Sequence, residues 1–176
     1  AALSFLAAHL QVAVPQPIAC DRERLLALYD WVDGERPVVS VAVIDAMLNF
    51  MAAVHGLRDR PGAAAMPPAI ECCLSGAEIL RQVAHRLERL RRLDGEPALQ
   101  AFLSDEVAPA LAGLSLDDNE LPQPLRCLNP GDFGAHNMLA AGSRMVFIDF
   151  EYFGWDDPVK QVCDVLWHPA MALGDD

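Results

Sequence analysis

The sequence predicts an α+β fold, mainly helical, with one small β-hairpin towards its C-terminal end. Three observations carry this. Ser40–Leu57 and Ser75–Leu93 repeat apolar residues at the three-and-four interval of a helix. After Pro124 the period shortens to that of strands. The runs Met138–Ala140 and Met145–Asp149 are separated only by the turn-forming Ala141-Gly142-Ser143.

In chain order, Ala1–Leu10 is rich in Ala and Leu, with Leu3, Leu6 and Leu10 at helical spacing and no capping residue ahead of them. Val12–Cys20 carries Pro15 and Pro17, which exclude helix and suit an extended edge segment. Arg24–Val32 reads as an apolar strand stopped by Asp33-Gly34. The next helix sets Val43, Ile44, Met47, Leu48, Met51 and Val54 on one stripe and ends at Gly56. Ser75, with Glu78 three residues on, forms a capping box for a helix whose stripe is Ile79, Val83, Leu87 and Leu90, and arginines fill its last turns. Pro97–Leu114 is a third, weaker helix, bent near Pro109. Leu125–Leu128 is a short strand and Asn129–His136 a loop ahead of the hairpin. Asp157, as N-cap, with Pro158 at the first position, opens a last helix towards Trp167.

Apolar residues make up 53% of the 176, and no apolar run approaches the ~18 residues of a membrane span, so a single globular domain is expected with no membrane partner. The formal charge of −12 repels a phosphate backbone, which argues against nucleic acid as a partner. No secretion signal is visible, and five cysteines without metal-like spacing fit reduced thiols and a cytoplasmic location. Lys160 is the only lysine.

The chemistry concentrates between Asn129 and Asp149. Asp132 stands in a loop with Gly131 and Gly134 on either side, Asn137 follows five residues later, and a hairpin returns the chain to Asp149. Phosphoryl transfer to a hydroxyl needs a carboxylate to orient the nucleophile and accept its proton, and metal ions to offset the triphosphate's charge. A neutral amide oxygen beside a carboxylate is a suitable pair of Mg²⁺ ligands. An Asp and an Asn in such a loop also commonly bond only to nearby backbone.

The surroundings decide between these readings. Asn-Pro-Gly-Asp-Phe-Gly-Ala-His-Asn from Asn129, followed by Phe-Ile-Asp-Phe-Glu-Tyr-Phe-Gly-Trp-Asp-Asp-Pro from Phe147, resembles in order and spacing the signature of the aminoglycoside phosphotransferase family, whose fold is that of the protein and choline kinases. Leu28-Tyr29-Asp30-Trp31-Val32-Asp33-Gly34 is similar to that family's hinge, and Leu48–Leu57 to the long helix after it. The resemblance implies Asp132 as catalytic base, Asn137 and Asp149 as Mg²⁺ ligands, backbone groups around Asp30 and Val32 as the adenine site of ATP, and Asp164 as a structural partner of the catalytic loop. Many members have a histidine two or three residues before the catalytic Asp, where this chain has Asn129.

Other residues carry two readings each. His136 is either a phosphate contact or an ordinary loop histidine. His9, His55, His85 and His168 are expected to be scattered over helices, which disfavours a zinc site. Glu151, Asp156 and Asp157 form either an acidic wall for a cationic substrate or a solvated acidic turn. Trp31, Trp155 and Trp167 are expected in core and site-edge packing.

A kinase-like enzyme also needs a glycine-rich strand pair over the phosphates and a lysine on the α/β-phosphates. No glycine or lysine precedes Leu28. The resemblance therefore implies a mainly helical C-terminal lobe of a protein-kinase-like fold, with the N-terminal lobe largely absent. Residues 1–34 would be a remnant of the nucleotide lobe and hinge, and residues 35–176 a helical substrate and catalytic lobe incomplete at its C-terminal end. The expected function is ATP- and Mg-dependent phosphorylation of a small-molecule hydroxyl, cationic alcohols being compatible with the acidic charge, with this chain inactive by itself. Two further readings stand beside it: a non-catalytic kinase-like binding module, and a metal-dependent phosphohydrolase using Asp132, Asp149 and Glu151.

Overall fold

The computed structural model describes residues 2–10, 13–93 and 95–173; Ala1, Val12 and Asp176, which bound expected segments, lie outside them. Helices and three small antiparallel strand pairs give the expected α+β mixture. The chain divides into two compact units, Ala1–Cys72 with Leu125–Asp176, and Cys73–Pro124.

In the first unit, helix α1 (Ala2–His9) buries Phe5, Leu6 and Ala7. Strands β1 (Pro17–Asp21) and β2 (Leu26–Tyr29) pair antiparallel, Asp21 opposite Leu26. The expected strand from Arg24 shortens because Asp21 Oδ1 accepts the N–H groups of Glu23 and Arg24 and folds those residues into the connecting turn. Both strands are largely exposed, so an apolar sequence here does not mark a buried strand. Beyond Tyr29 the chain crosses to β4 (Met138–Ala141), where Glu35 and Ala140 exchange backbone hydrogen bonds of 3.2 and 2.7 Å.

Helix α2 (Val41–His55) is capped by Ser40 Oγ, which accepts the Val43 N–H at 3.4 Å, and buries Val43, Met47, Phe50 and Val54. Leu48, expected on the inner stripe, is 57% exposed. At 100° per residue it lies about 140° round the helix from Val43. Phe50 takes the inner place and joins the helix to the loop and hairpin after Asn129, its ring 4.0 Å from that of Phe147 and 5.7 Å from that of Phe133.

The expected strand at Leu125 starts later, because Gln123–Leu125 form a 3₁₀ turn; β3 is Cys127–Asn129. It pairs with β6 (Gly154–Asp156), a strand too short to show a period in the sequence. The free side of β6 is taken by the segment at Pro67–Ala69, with Trp155 N–H donating to Pro67 and Ala69 N–H to Trp155, both at 2.9 Å. Strand β4 pairs with β5 (Arg144–Phe147), Met138 opposite Phe147, around a two-residue turn at Gly142-Ser143.

In that second unit, helix α3 (Gly76–Arg91) is capped by Ser75 Oγ, which accepts the Glu78 N–H at 3.2 Å. The Glu78 carboxylate accepts instead from Arg81 and Gln82, hydrogen bonds that hold its pKa down at about 2. Helices α4 (Pro97–Phe102) and α5 (Ala108–Ala112) are continuous through a π turn at Leu103–Val107. The expected bend at Pro109 is thus replaced by one widened turn just before it, which accommodates a residue with no N–H and a bulky ring. Back in the first unit, α6 (Pro158–Leu166) starts as expected, with Asp157 Oδ1 accepting the Val159 N–H at 2.7 Å, and a 3₁₀ turn at Pro169–Met171 follows it. No helix among the described residues is long and apolar enough to cross a membrane.

Candidate active site

The loop between β3 and β4 is tied at its root by a buried carboxylate. Asn129, 1% exposed, donates from Nδ2 to Asp156 Oδ2 at 2.9 Å and accepts the Gly131 N–H on Oδ1 at 3.0 Å. Asp156, fully buried, also accepts the Asp157 N–H at 2.8 Å and faces Lys160 Nζ at 3.4 Å. It is therefore neither a wall for substrate nor a solvated turn residue, because its carboxylate is sealed from solvent and faces the Asn129 amide, the Asp157 N–H and Lys160. Lys160 is also paired with Asp164, so among the described residues Asp164 reaches the loop through that lysine, and Asp156 holds the loop directly. Cys127 lies in the same buried layer; desolvation, then the nearby Asp156 and Asp157 charges, push its thiol pKa up to about 12.

Gly131 has φ +92°, and a Cβ there would lie 2.3 Å from Tyr152 Cβ. Only glycine fits, and the turn it makes delivers Asp132 to the surface, where its carboxylate is exposed. Asn137 is buried and donates from Nδ2 to the Asp132 backbone carbonyl at 2.8 Å, while its own carbonyl accepts the Ile148 N–H at 3.0 Å. These two bonds tie the loop to the strand end that carries Asp149, which is exposed and in the left-handed region at φ 65°. The Asn137 Oδ1 and the Asp149 carboxylate have no hydrogen-bond partner among the described residues. Both are hard oxygen donors of the kind Mg²⁺ takes.

Asp30 and Val32 follow β2 on the segment that crosses to β4. The Asp30 N–H donates to Gln16 at 3.0 Å and its carboxylate accepts the Gln16 N–H, which leaves its carbonyl for an external donor. Of the tryptophans, Trp155 is buried and donates from Nε1 to Ala63 at 3.1 Å, whereas Trp31 and Trp167 are 90% and 81% exposed and pack no core.

The histidines are not all scattered over helices. His168 caps the 3₁₀ turn after α6, and its Nε2 lies 3.0 Å from Asp132 Oδ1; His136 Nε2 lies 3.3 Å from the same oxygen. The two rings stack at 4.4 Å and 11°. The ligand-type atoms of Asp132, His136 and His168 fall within 4.8 Å of one another, as in a metal site. His168 Nδ1, however, accepts the Ala170 N–H at 3.1 Å, so the neutral ring carries its proton on Nε2 and has no lone pair there for a metal. No spacing of residues signals this contact, which spans 36 positions. Its one local cue is the His-Pro pair, which reads as a turn start.

Comparison with known proteins agrees with the signature around Asp132. No curated protein matches the chain. A family model described as the phosphotransferase enzyme family (APH) matches residues 1–175. Nearly the whole chain is covered, and it belongs to that family.

Proposed function

We propose that this chain is the catalytic, mainly helical lobe of a protein-kinase-like enzyme that transfers the γ-phosphoryl group of ATP to a hydroxyl of a small molecule with the help of Mg²⁺. The observation that carries the reading is the double anchoring of Asn137, through Nδ2 to the Asp132 carbonyl and through its own backbone carbonyl to the N–H of Ile148, the residue before Asp149, which links the three proposed site residues through one hydrogen-bonded segment. Preorganisation of this kind is what phosphoryl transfer asks of a protein, since its catalysis is mostly positioning and charge stabilisation.

In this reading the acceptor hydroxyl oxygen bonds to the γ-phosphorus as the bond to ADP breaks, and the hydroxyl proton passes to the Asp132 carboxylate. Asn137 Oδ1 and Asp149 would hold Mg²⁺, which supplies charge compensation for the phosphates. The Asp30 carbonyl and the backbone at Val32 would take the adenine. Lys160 is engaged by Asp156 and Asp164, so it is not the lysine that grips the phosphates. The exposed carboxylates at Asp132, Asp149 and Glu151 suit a cationic alcohol as substrate.

The test is ATP consumption by the protein translated from the complete reading frame, against a panel of hydroxyl acceptors including aminoglycosides and choline, with Mg²⁺ present. Asp132→Ala is expected to lower turnover by about 10²–10⁴-fold. Full turnover in that variant overturns the assignment.

A further inference from the structure

We propose that His168 is a positioning residue for Asp132, an inference that rests on the reading of Asp132 as the base. Two hydrogen bonds at opposite ends of the ring carry it. The Ala170 N–H donates to Nδ1 at 3.1 Å, which fixes the tautomer with hydrogen on Nε2, and that nitrogen donates to Asp132 Oδ1 at 3.0 Å. The ring therefore passes the order of a backbone turn to one oxygen of the carboxylate. Asp132 Oδ2 has no partner among the described residues and is left to receive the acceptor's proton.

The turn is itself fixed to the loop it serves. Met171, 1% exposed, lies beneath the 3₁₀ turn at Ala135–Asn137, and its sulfur accepts the Ala135 N–H at 3.4 Å. Stacking on His136 holds the plane of the ring. An exposed aspartate side chain would otherwise sample several rotamers, each with a different oxygen presented. His168 removes that freedom without touching substrate, and the effect falls on the chemical step rather than on binding.

Two substitutions separate this role from simple capping of the turn. In His168→Asn the amide oxygen replaces Nδ1 as acceptor for Ala170, but the bond from position 168 to Asp132 is lost and only His136, at 3.3 Å, remains beside that oxygen. In His168→Gln the amide nitrogen replaces Nε2 as donor to Asp132. With the acceptor of highest turnover from the panel above, His168→Asn is expected to lower kcat by about 10–100-fold, part of what a positioned base supplies, with KM and Tm little changed. His168→Gln is expected to recover most of that loss. Wild-type kcat in His168→Asn, or equal loss in both variants, overturns the proposal. Asp132→Asn run in parallel distinguishes the two failures: if it retains turnover, the base assignment itself is wrong. Independently of any acceptor, the ¹⁵N spectrum of the neutral His168 ring is expected to show the Nε2–H tautomer; the Nδ1–H tautomer overturns the proposal.

Discussion

Asp156→Ala is the sharpest test of how the Asp132 loop is held. The carboxylate is fully buried, and its loss leaves the Asn129 amide and the Asp157 N–H without their acceptor. A buried donor stripped of its partner costs about 1–3 kcal/mol. Lys160 keeps Asp164 and some solvent, so its charge is not wholly orphaned, and the total comes to about 3–5 kcal/mol, the range for breaking a buried pair. With a urea m-value of about 2 kcal/mol/M, the midpoint should fall by about 2 M. Asp164→Ala removes the more exposed partner of the same lysine and should cost about 0–1 kcal/mol. Urea melts followed by far-UV circular dichroism read both. If the two variants cost the same, or if Asp156→Ala shifts the midpoint by less than about 0.5 M, the buried carboxylate is not what holds the loop.

Gly131→Ala combines a positive φ with overlap on Tyr152 and should cost upwards of about 3 kcal/mol, whereas Gly142→Ala, at φ 64° with open space around it, should cost about 1 kcal/mol in the same melts. Phe50→Ala should cost about 3–5 kcal/mol, because it empties the stack on Phe147 and Phe133, and Leu48→Ala under about 1 kcal/mol; a reversed order would show that the inner face of α2 is misassigned. At pH 8 a thiol reagent should modify the exposed Cys20 and Cys163 rapidly and Cys127 only on unfolding. The sign of the linkage follows from the raised Cys127 pKa. The unfolded chain releases that proton near 9 and the folded chain near 12, so this residue's contribution is intact below pH 9 and is lost as pH rises through that window.

The helices were legible wherever local chemistry sets them. Ser40, Ser75 and Asp157 each hydrogen-bond the backbone of their own first turn, and such contacts lie within three residues in the sequence. Strand β6 was not legible, since three residues show no period and its pairing comes from partners at Cys127–Asn129 and Pro67–Ala69. The apolar stripe expected for α2 includes Leu48, which is exposed, and omits Phe50, which is buried. Apolar residues occur on both faces of that helix, and only the aromatic rings it meets decide which face is inner. Asp156 reads as a surface acid in the sequence because three of four residues at 154–157 suggest a turn, while its burial depends on Asn129 and Lys160.

The family was legible from sequence alone, as was the order of the proposed site, Asp132, Asn137, then Asp149 beyond a hairpin, because the proposed roles require particular residue types at fixed short spacings along one segment. Tertiary structure decided what supports them. The bond from His168 to Asp132 spans 36 residues and that from Asn129 to Asp156 spans 27. A hydrogen bond needs its two groups within about 3 Å in a set direction, and over such separations nothing in the spacing of residues specifies that approach. The packed core brings those groups together.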